Sequence, residues 1–355
     1  MSRFERQEIL PGFGMQGQKK LRASSVLVVG AGGLGCPALL YLAAAGVGKI
    51  GIVDGDQVSL SNLNRQVLFG EKDLGKNKAY TAMAHFKEKY HDIEWEVYPE
   101  FLTVENAEEI ISEYDLILDG SDNFPTRYLV NDACVLLQKP LVFGAIYQHE
   151  GQVSVFNVGE DSCNYRDLFP GMPAASEIPN CAETGVLGVL PGVIGNLMAL
   201  EAIKVLADFG SSLKNKVLLF NSLTSAFYEV EISPQPISSQ APQSFEELKK
   251  MDYELACEGV RQLSWEEAMG KMNPGIAFVD VREEGEVPEL NCTGLLKIPF
   301  SNLEREKTQL THSEEILLFC QSGIRSQKAA QLLIQDFPDK RIYSIRGGMN
   351  AFKKT

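Results

Sequence analysis

A glycine-rich loop near the N-terminus constrains the fold of this chain more than any other feature. Gly30, Gly32 and Gly35 follow an apolar, strand-like run and open an apolar helical stretch. Glycines at this spacing let the backbone approach a phosphate group at the N-terminus of a helix. Asp54 ends the next predicted strand, where a carboxylate can hold ribose hydroxyl groups. The loop therefore predicts a nucleotide-binding βαβ unit, and taken alone it indicates a dinucleotide dehydrogenase.

Residues 24 to 145 alternate short β-rich runs with helical patterns. This order predicts an α/β fold with a mostly parallel, doubly wound, Rossmann-like sheet and functional sites at the carboxyl ends of its strands. The predicted strands are Val26–Val29, Lys49–Val53, Glu94–Tyr98, Leu116–Leu118 and Leu141–Phe143, and the predicted helices are Cys36–Ala45, Lys76–Tyr90, Val104–Glu113 and Thr126–Leu137.

The pattern changes after residue 150. Gly151–Phe156, Lys216–Phe220 and Phe227–Ile232 alternate apolar and polar residues, which predicts antiparallel strands that extend the sheet. The apolar segment between them, residues 185–200, is too short for a membrane span, and we expect a buried helix that ends near residue 206. Residues 159–184 show no periodicity, as is typical of a functional or mobile loop.

The second half of the chain has its own α/β pattern. The segment Ser233–Ser244 is rich in Ser, Pro and Gln, a composition typical of linkers. Further on, strands are predicted at Ala277–Val281, Ile316–Phe319 and Ile342–Ile345. The 355 residues exceed what one hydrophobic core usually serves. We therefore expect one domain over residues 1–232, a linker over 233–257 and a small α/β domain over 258–355.

Composition excludes several classes of protein. The net charge of -14 and pI near 4.9 argue against nucleic acid or an anionic membrane as the main partner, because both would be repelled. The seven cysteines are scattered without a Cys-x-x-Cys pair, which argues against a disulfide framework and a four-cysteine zinc site. The first residues lack the apolar segment of a secretory signal, so we expect a cytoplasmic protein.

Polar and cationic side chains follow the ribose-binding candidate Asp54. Asn62, Arg65, Lys76 and Lys78 could neutralise a triphosphate and stabilise charge on a pyrophosphate leaving group. A dehydrogenase has no need of these cations at this place. The alternative interpretation is a solvated, basic start of a helix.

Two carboxylates follow the predicted strand Leu116–Leu118. Asp119 and Asp122 would emerge at the carboxyl edge of the sheet, where an oxygen-rich site suits Mg²⁺. The alternative is an Asx turn that caps the next helix. Beside the cations, we favour a metal-binding role for Asp122.

A cysteine loop lies near the C-terminus. Cys320 follows the strand Ile316–Phe319 and precedes a predicted helix over Ser326–Ile334, so backbone N–H groups, the helix dipole and Arg325 would stabilise a thiolate. A buried structural cysteine is one alternative. A protein phosphatase is another, but its signature has one more residue between cysteine and arginine. The shorter loop fits a sulfane sulfur better than a phosphate.

The motifs of both halves resemble known families. The N-terminal motifs are Arg3–Gln7, Gly30–Gly35, Asp54–Asp56, Ser59–Gln66, Lys78, Asp122–Asn123 and Cys181–Glu183. They resemble the bacterial relatives of ubiquitin-activating enzymes, the adenylyltransferases of the sulfur-carrier proteins of molybdopterin and thiamine synthesis, over roughly residues 3–232. With Asp280–Arg282 and Arg346–Phe352, the Cys320 loop resembles a rhodanese domain.

The resemblance implies adenylation of a ubiquitin-like protein's C-terminal Gly-Gly carboxylate by Mg-ATP. Asp54 would hold the ribose, Arg65 and Lys78 the phosphates and Asp122 the metal, while the position of Arg6 reaches the partner subunit's ATP in the family, which implies a homodimer. The expected nucleotide-binding set is Gly30, Gly32, Gly33, Gly35, Asp54, Asp56, Asn62, Arg65, Gln66, Lys78, Asp122 and Asn123. Many relatives hold zinc with two Cys-x-x-Cys pairs; this chain has neither, and we expect no zinc.

Joined, the two halves predict an enzyme that makes a thiocarboxylate. A persulfide on Cys320, formed by a cysteine desulfurase or another donor, would attack the acyl-adenylate. Cys181 would form a transient thioester, resolve the acyl disulfide or be a passive thiol. The alternatives are an NAD-dependent oxidoreductase with an accessory C-terminal module and a non-catalytic scaffold that binds a ubiquitin-like protein. The motifs favour a molybdopterin carrier over a thiamine carrier or a carrier of cysteine synthesis.

Overall fold

The computed structural model describes residues 2–173, 185–235, 241–251, 253, 260–271, 273, 275–290, 292, 294–337 and 339–352. The chain divides into two compact units. The first consists of Met1–Met172 and Asn180–Tyr253, and the second of Pro173–Pro179 and Glu254–Thr355.

The first unit is built on an eight-stranded sheet in the order β3-β2-β1-β4-β5-β6-β7-β8. Strands β1 to β5 pair in parallel, and β6 to β8 add an antiparallel extension. The predicted fold class is confirmed. The strands are β1 Ser25–Val29, β2 Lys49–Val53, β3 Glu94–Tyr98, β4 Leu116–Asp119, β5 Leu141–Tyr147, β6 Glu150–Phe156, β7 Lys216–Asn221 and β8 Ala226–Glu231.

The helices of the first unit follow the predicted order, with shorter or shifted ends. They are α1 Glu5–Glu8, α2 Gly14–Ala23, α3 Gly35–Ala45, α4 Lys78–Lys87, α5 Ala107–Ser112, α6 Phe124–Leu137, α7 Tyr165–Leu168, α8 Val189–Ala207 and α9 Phe245–Leu248. Helix α4 begins later than predicted because Asn77 caps it, its Oδ1 accepting the Tyr80 N–H at 3.1 Å. Helix α7 lies inside the segment predicted to be a loop.

Helix α8 packs on one face of the sheet against α3, β5 and β6. It has the length and apolar composition of a membrane span. However, Leu190, Ile194 and Met198 belong to the hydrophobic core. Glycines in the strands permit this close approach, since a Cβ at Gly144 would lie 2.2 Å from the Met198 sulfur. The helix therefore acts as a core element of this unit, as predicted.

Part of the segment predicted to be a linker packs on the first unit. Leu248 of α9 is fully buried, and the Tyr253 hydroxyl donates to Asp132 Oδ2 of α6 at 2.7 Å. The same carboxylate forms a bidentate pair with Arg166 at 2.7 and 2.6 Å. The chain is thus attached to this unit as far as Tyr253.

The second unit contains a five-stranded parallel sheet in the order β11-β10-β12-β13-β9. This confirms the predicted small α/β domain. Its elements are β9 Arg261–Leu263, α10 Trp265–Lys271, β10 Ile276–Asp280, β11 Leu295–Lys297, α11 Leu303–Glu306, β12 Glu315–Phe319, α12 Ile324–Asp336 and β13 Arg341–Ile345. The three-residue strands β9 and β11 were too short to be read from the sequence pattern.

Candidate active sites

The glycine loop makes a tight turn between β1 and α3. Gly30 has a φ of +92°, and its N–H donates to Val53 O of β2 at 2.8 Å. A Cβ at Gly35 would lie 1.9 Å from the carbonyl oxygen of Gly30, so only glycine fits there. Neighbouring side chains come from the Ser59–Gln66 run: a Cβ at Gly32 would be 3.8 Å from Gln66 Nε2, and one at Gly33 would be 3.5 Å from Arg65 Cγ.

Asp54 at the end of β2 is bound to the glycine loop. Its Oδ2 accepts the Ala31 N–H and its Oδ1 the Asp56 N–H, both at 2.8 Å. Burial raises the pKa of Asp54 to about 6, although the nearby charge of Lys78 opposes this rise. The carboxylate is fixed at the carboxyl edge of the sheet beside the backbone that would contact a nucleotide.

Lys78 joins the predicted acids into one cluster. It is 6% exposed, and its Nζ lies 2.9 Å from Asp56 Oδ2. Burial alone would lower the pKa of Lys78, but the charges of Asp54, Asp56 and Asp122 outweigh this and raise it. The ammonium group is therefore charged.

Asn77, which was not a candidate from the sequence, positions Lys78. The Asn77 amide donates to the carbonyl oxygens of Asp54 and Asp56 at 3.0 and 3.3 Å while its Oδ1 caps α4. An asparagine directly before an apolar-periodic helix is an N-cap signal that could have identified it.

The Ser59–Gln66 run forms a short 3₁₀ turn in which Asn62 Oδ1 accepts the Ser59 N–H at 3.3 Å. Arg65 Nη1 donates to Ser61 O and Asn64 Oδ1 at 3.0 and 3.1 Å, and it has no carboxylate partner in the described part of the chain. Gln66 is buried, and its Oε1 has no hydrogen-bond partner within those same residues. An unsatisfied buried acceptor beside a glycine loop fits a nucleotide site.

Asp122 and Asn123 follow β4 with different environments. Asp122 is exposed, whereas Asn123 Oδ1 accepts the Thr126 N–H at 2.9 Å and caps α6. The Asx-turn alternative therefore describes Asn123, and the Asp122 carboxylate remains at the surface of the same edge. Among the described residues, no group of three or more His, Cys, Asp and Glu side chains is placed to hold a metal.

A buried brace holds the peptide before Asp122. The Ser121 N–H donates to Asp119 Oδ1 at 2.9 Å, and Arg127 Nη2 donates to Ser121 O at 3.3 Å. Asp119 is 1% exposed; burial raises its pKa, and the charge of Arg127 acts in the opposite direction. Arg127 was not a candidate from the sequence, where its only signal was a single charge in the otherwise uncharged first half of α6.

Two further sequence candidates are Arg6 and Cys181. Arg6 lies exposed on α1, and within the described residues no hydrogen bond or ion pair joins it to the glycine loop. Cys181 lies outside the described residues.

The second candidate site is the Cys320 loop between β12 and α12. The Cys320 side chain is fully buried, and its Sγ accepts the Gly323 N–H at 3.2 Å, with Ser326 Oγ at 3.7 Å. Gly323 has a φ of +91°, which turns its N–H toward the sulfur. Gly348 permits the close approach of the last segment, because a Cβ there would lie 2.2 Å from Cys320 O. The loop therefore forms a hydrogen-bonded cradle for a sulfur atom.

Arg325, predicted to act at this loop, and Arg282 of the Asp280–Arg282 motif are both paired with acids. Arg325 Nη1 and Nη2 donate to the two carboxylate oxygens of Glu286 at 2.5 and 2.6 Å. Arg282 is held by Asp280, with its Nη2 2.7 Å from Asp280 Oδ2. The sequence analysis did not identify Glu286.

Comparison with known proteins decides the family. The model of the ThiF family matches residues 4–240, about two thirds of the chain. The chain belongs to the ThiF family. A rhodanese-like domain model matches residues 264–355. The two predicted resemblances are thereby confirmed.

Proteins similar to this ThiF-family chain cover most or nearly all of its length. The sulfur carrier protein adenylyltransferase of Thermus thermophilus is 49% identical over 72% of this chain and 96% of its own length. The probable adenylyltransferase/sulfurtransferase MoeZ of Mycobacterium tuberculosis is 38% identical over 100% of this chain and 93% of its own length. The adenylyltransferase and sulfurtransferase MOCS3 of Sus scrofa is 37% identical over 99% of this chain and 85% of its own length.

A solved structure of E. coli MccB shares the fold, with a TM-score of 0.60 and 21% identity over 67% of this chain and 71% of that one. The ThiF-family chain is thus an adenylyltransferase joined to a sulfurtransferase domain. The NAD-dependent oxidoreductase, phosphatase and scaffold alternatives are not supported.

Proposed function

We propose that this enzyme uses ATP to adenylate the C-terminal glycine of a ubiquitin-like sulfur carrier and then converts that carboxylate to a thiocarboxylate with sulfur held on Cys320. The observation that carries the adenylation half is Lys78, a buried cation at the carboxyl edge of the sheet. It stands among Asp54, Asp56 and Asp122. A buried ammonium group there suits a polyphosphate.

The residues around Lys78 divide the binding of ATP among them. The N–H groups of the glycine loop suit the α-phosphate, and the unsatisfied Gln66 Oε1 can accept a hydrogen bond from a nucleoside hydroxyl or amino group. Asp54 suits the ribose. Arg65 and Lys78 carry the charge for the phosphates. Asp122 would hold Mg²⁺, which supplies charge neutralisation to the phosphate oxygens. Three further polar side chains would line the rest of the nucleotide site: Asp56, Asn62 and Asn123.

Adenylation needs no general base, because the attacking carboxylate is already ionised. One of its oxygens forms a bond to the α-phosphorus, the bond to the bridging oxygen breaks, and pyrophosphate leaves with that electron pair. Lys78 and Arg65 stabilise the developing charge on the leaving group, while the glycine loop fixes the α-phosphate. The product is an acyl-adenylate, a much better electrophile than the carboxylate.

Sulfur transfer then uses the Cys320 cradle. A persulfide on Cys320 attacks the acyl carbon with its outer sulfur and expels AMP, which leaves an acyl disulfide. A thiol attacks the Cys320 sulfur of this disulfide and releases the carrier thiocarboxylate. The new mixed disulfide on Cys320 is reduced by a second thiol. By sequence position, Cys181 is our candidate for the first thiol.

The remaining assignments rest on the resemblance. We propose a homodimer in which Arg6 contacts the ATP of the partner subunit. We propose a cytoplasmic location, a cysteine desulfurase as sulfur donor and a carrier of the molybdopterin type.

Carrier-dependent exchange of labelled pyrophosphate into ATP tests the proposal. We expect exchange with at least one carrier ending in Gly-Gly, and none when that carrier lacks its last glycine. Mass spectrometry of the molybdopterin and thiamine carriers, after incubation with enzyme, ATP and a sulfur donor, would identify the substrate. Tight binding of NAD, with no exchange for any such carrier, would contradict the proposal.

The brace before Asp122 gives a further prediction. We expect Arg127→Met to raise the Mg²⁺ concentration needed for half-maximal exchange by about tenfold, because residues that orient a metal ligand typically have an effect of this size. Arg127→Lys, which keeps the charge, should restore part of the affinity. The exposed Arg22→Met is the control. A lower melting temperature of Arg127→Met with an unchanged Mg²⁺ requirement would show a purely structural role.

A further inference from the structure

The Arg325 guanidinium is the cation that a small anionic donor would meet at the Cys320 loop. Arg325 lies in the first turn of α12 and interacts electrostatically with Cys320. In a cysteine loop of this kind, such an arginine would bind the oxyanion of a donor such as thiosulfate. Here both terminal nitrogens already donate to Glu286, at 2.5 and 2.6 Å. The two side chains are 20% and 27% exposed, so the pair is largely shielded from solvent.

The position of Glu286 is fixed by its own segment. The Glu283 N–H donates to Glu286 Oε1 at 2.8 Å, and Arg325 lowers the pKa of Glu286 against the opposing effect of burial. The carboxylate is therefore ionised and held in place. An incoming anion must displace this internal partner before it can reach the guanidinium.

Arg282, the arginine after β10, does not replace Arg325. Arg282 is 5% exposed and its guanidinium is occupied by Asp280, the Pro288 carbonyl oxygen and Gln321. The segment that carries Glu286 is acidic, with glutamates at 283, 284, 286 and 289. A dianion such as thiosulfate approaches a neutralised arginine beside an acidic segment.

We propose that Glu286 is a specificity-determining residue of the sulfur-transfer step: it occupies the anion site of Arg325, so that the loop discriminates against small anionic sulfur donors and takes sulfur from a cysteine-borne persulfide. This inference rests on the proposed sulfur transfer at Cys320. Glu286 acts through Arg325 and is a positioning residue.

The two loading reactions differ in their charge. With thiosulfate, the Cys320 thiolate attacks the sulfane sulfur, the S–S bond breaks and sulfite leaves with its electron pair. With a cysteine persulfide, the thiolate attacks the outer sulfur and a cysteine thiolate leaves. Both reactions give the same Cys320 persulfide without an oxidant. Only the reaction with thiosulfate requires a site for a sulfonate group. Glu286 occupies that site on Arg325.

The test compares thiosulfate and cysteine persulfide as donors to the full-length enzyme, with cyanide as acceptor and thiocyanate as the product measured. We expect Glu286→Gln to lower the KM for thiosulfate by about tenfold, since it removes the competing charge, and Glu286→Ala to lower it further. The rate of loading by cysteine persulfide should change less than about twofold. Glu284→Gln is the matched control, because it removes one exposed charge from the same segment without contacting Arg325.

A double variant shows whether the effect passes through Arg325. Adding Arg325→Gln to Glu286→Ala should abolish the gain in thiosulfate affinity. An unchanged KM for thiosulfate in both Glu286 variants, or an equal change in Glu284→Gln, would overturn the proposal. The assay needs neither ATP nor a carrier, so its failure is distinct from a failure of the proposed adenylation.

Discussion

Asp122→Ala is expected to lower carrier-dependent pyrophosphate exchange by about a thousandfold, the upper range for removal of one preorganised electrostatic group. Asp122 is the exposed carboxylate beside Lys78 at the carboxyl edge of the sheet, and it accepts no hydrogen bond from the described residues. Its removal should therefore leave the fold intact while the phosphates lose their metal. Exchange of labelled pyrophosphate, measured across a Mg²⁺ titration, gives the result.

The control for this variant is Asp161→Ala, which removes another exposed aspartate of the first unit. It should keep the exchange rate within about twofold, as is usual for surface substitutions. Thermal unfolding of both variants should match that of the unmodified enzyme. Full exchange by Asp122→Ala at limiting Mg²⁺ would remove Asp122 from the proposed metal site.

For Cys320→Ala we expect pyrophosphate exchange to be retained and thiocarboxylate formation to be lost. Exchange should continue at the unmodified rate, because the nucleotide cluster lies entirely in the first unit. Formation of the carrier thiocarboxylate should fall below detection, since no sulfur atom remains to receive and pass on the persulfide. Mass spectrometry of the carrier after incubation with ATP and a sulfur donor measures this directly.

Cys292→Ala provides a matched cysteine control in the second unit. It should retain thiocarboxylate formation, as the cradle N–H of Gly323 is directed at Cys320. Loss of exchange in Cys320→Ala would refute the division of labour between the two domains. If Cys320→Ala still formed the thiocarboxylate, sulfur would reach the adenylate without Cys320.

The parallel strands could be predicted because a strand buried on both faces is a short apolar run whatever its neighbours. Lys49–Val53 shows this, since the predicted and observed bounds agree. The glycine loop and Cys320 could be located for the same reason, as each directly follows such a strand. The short strand Leu295–Lys297 has no comparable pattern, because it is recognised only by its pairing with β10.

Several residues that sequence reasoning missed act through a partner that no motif predicts. Arg127 matters through Ser121, and Glu286 through Arg325, which is thirty-nine residues away in sequence. The sequence predicted a linker over residues 233–257. It could not predict that Tyr253 would find a hydrogen-bond acceptor on Asp132. A sequence motif predicts local backbone geometry, whereas the hydrogen-bond and ion-pair partners of these residues are known only from the folded structure.

The complete burial of Cys320 has a consequence for how the enzyme withstands oxidative stress. The side chain is covered in this structure, so peroxide in the surrounding medium meets no exposed thiol. A persulfide would place its outer sulfur about 2 Å beyond Sγ. We therefore expect peroxide to oxidise the unloaded Cys320 thiol more slowly than it oxidises an exposed thiol.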